Sequence, residues 1–205
     1  MALEKKPVVV CISGPSGVGK GTVLKEVLSQ EDRAWVSVSA TSRPPRGQEE
    51  HGVDYYFVSK DEFQQMIAAD QILEYDEFCG NYYGTPRAQI EARLDAGYSI
   101  FMDITVKGAL AVKKALPQAI TIFLAPPNFQ ELRSRLEFRD TESPEKIASR
   151  LAQAKQEISQ APQFDYFLIN ESLEETTSAV EQILYVERLR ARRRALAIQA
   201  ILEKF

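Results

Sequence analysis

The stretch GPSGVGKGT at residues 14–22 decides how this chain folds. It follows the apolar run VVVCI at residues 8–12 and leads into VLKEVL at residues 23–28, an order that predicts a strand, a glycine loop and a helix. Glycines allow the backbone to turn sharply and to aim its N–H groups inward, and the helix start adds the positive end of a dipole. The loop is therefore predicted to bind phosphate groups, with Lys20 reaching the outer ones.

The spacing G-x4-G-K from Gly14 to Lys20 fits the phosphate-binding P-loop. Gly21 departs from that pattern, which asks for Ser or Thr, and the hydroxyl comes one residue later at Thr22. A dinucleotide fingerprint fits poorly, because it requires the order G-x-G-x-x-G and has no lysine. A turn that merely connects strand to helix is the plain alternative, but the flanking strand and helix favour the phosphate loop.

Size and composition narrow the classes of protein. With 205 residues, 44 % of them apolar, the chain is long enough for one domain with a single large core. A net charge of −4 argues against a general nucleic-acid-binding protein. No apolar run approaches a membrane span, residues 1–7 do not resemble a signal peptide, and Cys11 and Cys79 show no disulfide or metal spacing. These features predict a cytoplasmic protein without membrane attachment.

Apolar runs alternate with helical segments through most of the chain. This order predicts an α/β fold of three layers, in which helices cover both faces of a central parallel five-stranded sheet. The five strands are expected at residues 8–13, 35–39, 98–104, 119–124 and 165–169. Helices are expected at residues 19–29, 86–96, 106–116, 129–138 and 144–160, the last capped by Ser143. A small β-rich lobe is expected from strands at residues 53–59, 72–78 and 81–85 and a helix at 60–69.

One long C-terminal helix is expected to begin after Ser172. It would carry a basic segment (Arg188, Arg190, Arg192, Arg193 and Arg194) and then the apolar-rich residues 195–202. A basic amphipathic helix can meet a membrane surface or a partner, but such a tail more often packs on its own protein or on a second subunit. We therefore expect no membrane contact and hold a homo-oligomer through this helix as a hypothesis.

Further motifs follow the loop in a fixed order. They are SVSATSRPPR at 37–46, GVDYYF at 52–57, ILEY at 72–75, GNYYGT at 80–85, FMDITVKG at 101–108, LRSRLEFRDTE at 132–142 and FDYFLIN at 164–170. With the loop, these motifs make the chain resemble the guanylate kinase family over residues 8–184. The resemblance implies a P-loop kinase of purine nucleotide metabolism that transfers a phosphoryl group from ATP to GMP or dGMP.

The resemblance implies a GMP site in the β-rich lobe. Its implied phosphate ligands are Arg43, Arg46, Tyr55 and Tyr83, whose guanidinium and phenol groups can clamp a dianion. Glu74 is implied to accept hydrogen bonds from guanine N1 and N2, with Ser39 and Thr85 helping to hold the base. From residue types alone, this set also fits a solvated basic loop with structural tyrosines and a surface carboxylate.

The segment at residues 101–108 matches the family in part. Asp103 matches the first acid of the family's D-x-D, and its implied role is to hold water on Mg²⁺ or to orient the groups that bind phosphate. Thr105 stands where the family has a second acid that helps to bind guanine, and Lys107 replaces a glutamine. Thr105 still offers a hydroxyl for GMP but no charge. Taken alone, Asp103 also fits a carboxylate that simply ends a strand.

The ATP site is implied to combine the loop with a helical lid. Its residues are Gly14, Pro15, Ser16, Gly17, Val18, Gly19, Lys20, Gly21, Thr22 and Asn170. Arg135, Arg139 and Arg150 match the lid arginines and are implied to be catalytic together with Lys20, Arg43 and Asp103. Arginines at helical spacing also fit a salt-bridged surface. No side chain is expected to bind metal directly; the phosphates and water would hold Mg²⁺, with Thr22 or Asp103 acting through water.

These expectations divide a single domain, residues 1–205, into a core (7–39, 87–134 and 160–205), a monophosphate-binding lobe (40–86) and a lid (135–159). The acceptor is already an anion, so an in-line transfer would need positioning and charge neutralisation but no protein base. Two alternatives stay open. One is a kinase of a different small phosphorylated substrate, suggested by Thr105 and Lys107. The other is a non-catalytic binding module, which the intact Lys20 disfavours.

Overall fold

The computed structural model describes residues 6–78, 80–137 and 144–204, so Arg139 and the expected helix cap Ser143 lie outside the described residues. The strands in this part of the chain are β1 (Val9–Ser13), β2 (Ala34–Val36), β3 (Ala40–Thr41), β4 (Tyr56–Phe57), β5 (Ile72–Phe78), β6 (Asn81–Pro86), β7 (Ser99–Asp103), β8 (Ile120–Ala125) and β9 (Tyr166–Ile169). The helices are α1 (Lys20–Gln30), α2 (Lys60–Ala68), α3 (Arg87–Asp95), α4 (Val106–Ala115), α5 (Phe129–Glu137), α6 (Pro144–Ile158), α7 (Leu173–Leu189) and α8 (Ala195–Leu202). Among the helices of the described residues, none combines the length and the apolar character that crossing a membrane requires.

The main sheet has five parallel strands in the order β2-β7-β1-β8-β9, which confirms the predicted fold. β1 lies at its centre, and every residue of β1 is buried. Val10 and Ile12 pack with α1 and α7 on one face, whereas Val9 and Cys11 pack with α3 and α4 on the other. Because successive side chains of a strand point to opposite faces, this uniformly apolar strand produces the three layers.

Residues 40–86 form a second sheet of four strands in the order β4-β3-β6-β5. β3 pairs in parallel with β4 and antiparallel with β6, and the β5–β6 hairpin completes the sheet. Helix α2 begins with a capping box between Ser59 and Glu62 and buries Phe63 against Ala40 and Ile72. β5 also packs against α4, which follows β7, so this sheet is attached to the main body at that helix.

Two strands differ from the expectation. β2 ends at Val36 rather than Ser39, and β3, which the sequence analysis did not predict, follows it. The strand expected over residues 53–59 is reduced to β4, because the preceding residues form a turn. In that turn Gly52 N–H donates to the carbonyl oxygen of Tyr55 at 2.8 Å, and Val53 is 65 % exposed. An apolar, β-branched residue in a turn accounts for the wrong boundary.

The prediction of one continuous C-terminal helix is wrong. α7 ends at Leu189, Arg190 has extended backbone angles, and a short 3-10 turn at Ala191–Arg193 precedes α8. Glu187 explains the break, because this buried carboxylate pairs with Arg190 at 2.7 Å and with Arg193 at 3.5 Å. The helix therefore ends at a position where helix propensity alone would continue it.

Candidate active site

The phosphate loop connects β1 to α1 at the carboxyl edge of the main sheet. Its backbone has positive φ at Gly14, Gly17 and Gly19, a conformation that favours glycine. A Cβ atom at Gly14 would lie 2.0 Å from the carbonyl oxygen of Leu124, so the loop packs directly on β8. By contrast, nothing lies within 4 Å of a Cβ atom at Gly21, so packing does not impose glycine there.

Lys20 begins α1, and its side chain folds back over the loop. Its Nζ donates to the carbonyl oxygens of Gly14 at 2.8 Å and Pro15 at 3.3 Å. The ammonium group is thereby held beside the loop and the N-terminus of α1. An anion at this position would meet a positive charge and the free N–H groups of a helix start together.

Asn170 and Arg135, two residues expected near ATP, donate hydrogen bonds to the backbone of the phosphate loop. Asn170, which is buried directly after β9, donates through Nδ2 to the carbonyl oxygen of Val18 at 2.7 Å. Arg135 donates to the same oxygen at 3.3 Å and to the carbonyl oxygen of Asn170 at 3.2 Å, while its Nε pairs with Glu131. Helix α5 and β9 therefore contact the loop directly through Arg135 and Asn170.

Two carboxylates lie within electrostatic range of Lys20. Asp103 ends β7, in register with Ile12 of β1; desolvation by the surrounding protein raises the pKa of its carboxyl, and Lys20 opposes the shift. Glu157 in α6 is half-buried; burial raises its pKa, whereas a hydrogen bond from Gln153 and the charge of Lys20 lower it. Sequence analysis did not identify Glu157.

Glu157 could have been identified by its spacing from Arg150, which is half-buried on the same helix. The two residues are seven positions apart, so they lie on one face of α6 about two turns from each other. A lid helix that turns Arg150 toward phosphates would turn Glu157 the same way.

A second candidate anion site, here called the arginine pocket, consists of Arg43, Glu49, Tyr55 and Tyr83. Arg43 is only 6 % exposed, and its guanidinium group lies 4.9 Å from the centre of the Tyr55 ring. The rings of Tyr55 and Tyr83 are 6.2 Å apart. The structure thus brings together three of the four phosphate ligands implied by the sequence, whereas the side chain of Arg46 is exposed at the edge of the same loop.

Glu49 occupies one edge of the Arg43 guanidinium group. Its two carboxylate oxygens accept from Nη1 at 2.6 Å and Nη2 at 2.7 Å, and Oε2 also accepts from the backbone N–H of Arg46 at 2.8 Å. The hydrogen bonds from Arg43 and Arg46 lower the pKa of Glu49 to about 2, and the same ion pair raises the pKa of Arg43. Sequence analysis missed Glu49, although a carboxylate within a cation-rich segment is a usable signal.

A buried carboxylate forms the centre of a neighbouring site, the carboxylate pocket, which consists of Glu74, Thr85, Thr105 and Gly108. Glu74 is 7 % exposed and accepts a hydrogen bond from Thr85 Oγ1 at 2.7 Å. A Cβ atom at Gly108 would lie 2.6 Å from Glu74 Oε2 and 3.3 Å from Thr105 Oγ1, so both side chains converge on this glycine. Thr105 also caps α4 by accepting from Gly108 N–H at 3.1 Å.

Burial raises the pKa of Glu74 above its ordinary value, and the neighbouring charge of Asp76 adds to this shift. The hydrogen bond from Thr85 and the charge of Lys107 act in the opposite direction. Ser39, the other residue expected near the base, is half-buried between β2 and β3, and its carbonyl oxygen accepts from Tyr56 N–H at 2.9 Å.

Strand pairing aligns the two pockets. Glu74 pairs with Thr85 and Asp76 with Tyr83 across the β5–β6 hairpin. Tyr83 and Thr85 are two residues apart on one strand, so their side chains project from the same face about 7 Å apart. Tyr83 of the arginine pocket and Thr85 of the carboxylate pocket therefore project from one face of the second sheet, while the phosphate loop belongs to the main sheet.

Comparison with known proteins identifies the family. The guanylate kinase family profile matches residues 4–187. A guanylate kinase of Bacillus subtilis is 42 % identical over 202 residues, covering 98 % of this chain and 99 % of the relative. A guanylate kinase of Thermus thermophilus is 47 % identical over 193 residues, covering 94 % of this chain and 87 % of the relative. The crystal structure of guanylate kinase from Anaplasma phagocytophilum is 33 % identical and superimposes with a TM-score of 0.75, covering 93 % of this chain and 91 % of that one. The chain belongs to the guanylate kinase family.

The carboxyl group of Glu49 should titrate near pH 2 in the folded protein, far below its ordinary value of 4.5. Because the folded-state pKa is lowered, the stability that Glu49 contributes is complete above pH 4.5 and is lost as pH falls toward 2. Carbon NMR of labelled glutamate side chains, with the Glu49 signal assigned by its loss in Glu49→Gln, measures this pKa. Arg43→Ala should return the midpoint to the ordinary range. A midpoint near 4.5 in the unaltered chain would contradict the ion pair.

Proposed function

We propose that this protein transfers the terminal phosphoryl group of ATP to GMP, and to dGMP, giving ADP and GDP. The observation that carries the proposal is that the arginine pocket, through Tyr83, and the buried carboxylate Glu74 share one face of the β5–β6 hairpin. A purine nucleoside monophosphate has an anion at one end and a base at the other, which matches this pair. The name guanylate kinase, carried by relatives that align over nearly the whole chain, supports the same activity.

Glu74 is our choice for the residue that selects guanine. Guanine presents donors at N1 and at its 2-amino group, whereas adenine has neither, so a carboxylate acceptor favours guanine. Because Glu74 is buried, a base without these donors would leave its carboxylate shielded from water and without the hydrogen bonds that guanine donates. Thr85, Thr105 and Ser39 would contribute hydroxyl groups beside it.

The acceptor phosphate is expected at the arginine pocket. Arg43 would bind it together with Arg46, Tyr55 and Tyr83, since charge-assisted hydrogen bonds are the strong ones in such a site. Glu49 already holds the Nη1 and Nη2 groups of Arg43, so it fixes the plane of the guanidinium group before substrate arrives. A phosphate would then either bind the Nε side of that group or displace the carboxylate.

The donor side is expected at the phosphate loop. Residues 14–22 and Lys20 would bind the ATP phosphates, with Asn170 and the lid arginines (Arg135, Arg139 and Arg150) completing the site. Lys20 Nζ has two of its three hydrogens directed to loop carbonyls, so an approaching phosphate oxygen would exchange with them or use the third.

Mg²⁺ accompanies ATP in this proposal. Among the described residues, no group of three or more His, Cys, Asp or Glu side chains is arranged to hold a metal ion. The carboxylate of Asp103 and the hydroxyl of Thr22, which is exposed in the first turn of α1, fit a hydrated ion held mainly by phosphate oxygens. When bound, the ion would neutralise charge on the phosphates.

The reaction would need no protein base, because the attacking group is a phosphate oxygen that is already ionised. Lys20, Arg43 and the lid arginines would stabilise charge during an in-line transfer, and the two pockets would hold the reactants close together. We assign residues 40–86 as the GMP lobe, 135–159 as the lid and the remainder as the core. Closure of lobe and lid would exclude water and so prevent ATP hydrolysis.

Two further assignments stay proposals. The substrates and the free, buried thiol of Cys11 suit the cytoplasm.

A homo-oligomer through α8 is suggested by Ile198, Ile201 and Leu202, which are 45 %, 58 % and 67 % exposed. Sedimentation velocity of the full chain and of Ile201→Glu tests it, and the same monomeric mass for both would count against it.

A coupled assay of ADP release, with ATP as donor and GMP, dGMP, AMP, UMP or CMP as acceptor, tests the proposed activity. We expect turnover with GMP and dGMP, and a kcat/KM for AMP that is lower by about 10³-fold or more.

Lys20→Ala should lower kcat by about 10²-fold or more, because it removes a charge directed at the transferred group. The exposed Lys25 on the same helix gives the control Lys25→Ala. Preference for another acceptor would favour a different substrate, and no ADP release at all would favour a binding module.

Gly108→Ala should impair use of GMP selectively. The added methyl group would lie 2.6 Å from Glu74 Oε2, so the carboxylate has to move, whereas alanine suits the helix itself. We expect KM for GMP to rise about tenfold, which corresponds to about 1.4 kcal/mol. KM for ATP should be unchanged, and the melting temperature should be unchanged or slightly higher. Steady-state kinetics with each substrate varied measures this. An equal rise in both KM values would mean that the change is not specific to Glu74.

A further inference from the structure

We propose that Lys107 is a positioning residue for guanine recognition: it links α4 to β5 through Asp76 and supplies the positive charge that supports an ionised Glu74. The inference rests on the proposed function, because it concerns the residue assigned there to the base. It assigns a role to a lysine that the resemblance marks only as a departure from the family.

The geometry places Lys107 at the contact between the two sheets. Its Nζ lies 2.6 Å from Asp76 Oδ1. The next residue, Gly108, is the one against which Glu74 packs, and Asp76 is two residues after Glu74 on the same face of β5. The salt bridge therefore lies next to Gly108, where the carboxylate pocket contacts α4.

The charges around Glu74 explain why this cation matters. Glu74 is faced by Asp76 on its own strand, by the Thr85 hydroxyl from β6, by Lys107 and the Thr105 hydroxyl from α4, and by the Cys11 thiol from β1. Of these groups, Lys107 carries the positive charge. A carboxyl group accepts from both guanine donors only when it is ionised, since protonation turns one oxygen into a donor.

Stability is a weak explanation for the same ion pair. The side chain of Lys107 is 68 % exposed and that of Asp76 is 28 % exposed. Exposed pairs of this kind contribute little to folding, because solvent screens them and ordering two side chains costs entropy. Burial raises the pKa of Glu74 and Asp76 raises it further, whereas the hydrogen bond from Thr85 and the charge of Lys107 lower it, so Lys107 also acts on the ionisation of Glu74.

Two single variants separate a charge effect from the loss of a link. Lys107→Met should raise KM for GMP at about pH 6 by roughly threefold to tenfold and move the acid limb of kcat/KM for GMP to higher pH. Asp76→Asn should move that limb to lower pH, because it removes a negative charge. Both variants break the same ion pair, so shifts in opposite directions cannot come from losing the link. The phosphate of GMP ionises in the same range, and the comparison between variants removes its effect.

Matched variants and the unaltered chain complete the test. Lys107→Arg keeps the charge and should retain the normal pH profile, and Lys114→Met removes an exposed lysine of the same helix without effect. KM for ATP should be unchanged throughout. If Lys107→Met and Asp76→Asn shift the acid limb in the same direction, or not at all, the inference is wrong while GMP turnover by the unaltered chain leaves the proposed function standing. Absence of GMP turnover by the unaltered chain would overturn both.

Discussion

Parallel pairing of β1 with β7 and β8 is the constraint on which the rest of the site depends. It brings the ends of three strands to one edge, where β1 leads into the phosphate loop, β7 ends in Asp103 and β8 meets the loop at Leu124. Only a residue without a side chain fits at Gly14, because the loop passes so close to the Leu124 carbonyl group. The position of Lys20 beside the loop follows from that close approach, since its ammonium group is held by the carbonyl oxygens of Gly14 and Pro15.

A second close approach joins the two sheets. Glu74 packs against Gly108, and Asp76 pairs with Lys107, so β5 is held to the start of α4 just after the strand that ends in Asp103. The proposed acceptor groove is thus anchored to the same edge of the main sheet as the proposed donor loop. Two ion pairs, Arg43–Glu49 and Lys107–Asp76, hold cations beside the proposed acceptor groove.

Much of the main body could be predicted from sequence, because apolar runs such as residues 8–12 correspond to buried parallel strands. The resemblance also named Arg43, Tyr55 and Tyr83, whose side chains lie close together beside the second sheet. A carboxylate in the cation-rich segment could have drawn attention to Glu49, but its pairing with Arg43 depends on the path of an irregular loop. The break at Arg190 likewise depends on tertiary pairing with Glu187, which overrides local helix propensity.

The proposed function requires that one chain hold a donor and an acceptor nucleotide with their phosphates facing each other. Isothermal titration with adenosine and guanosine joined through five phosphates tests it most directly, because this compound can occupy both sites only if they face each other. We expect one ligand per chain, competition with both ATP and GMP, and an affinity at least about tenfold higher than that of the corresponding diadenosine compound. Competition with ATP alone, or equal affinity for the two compounds, would contradict it.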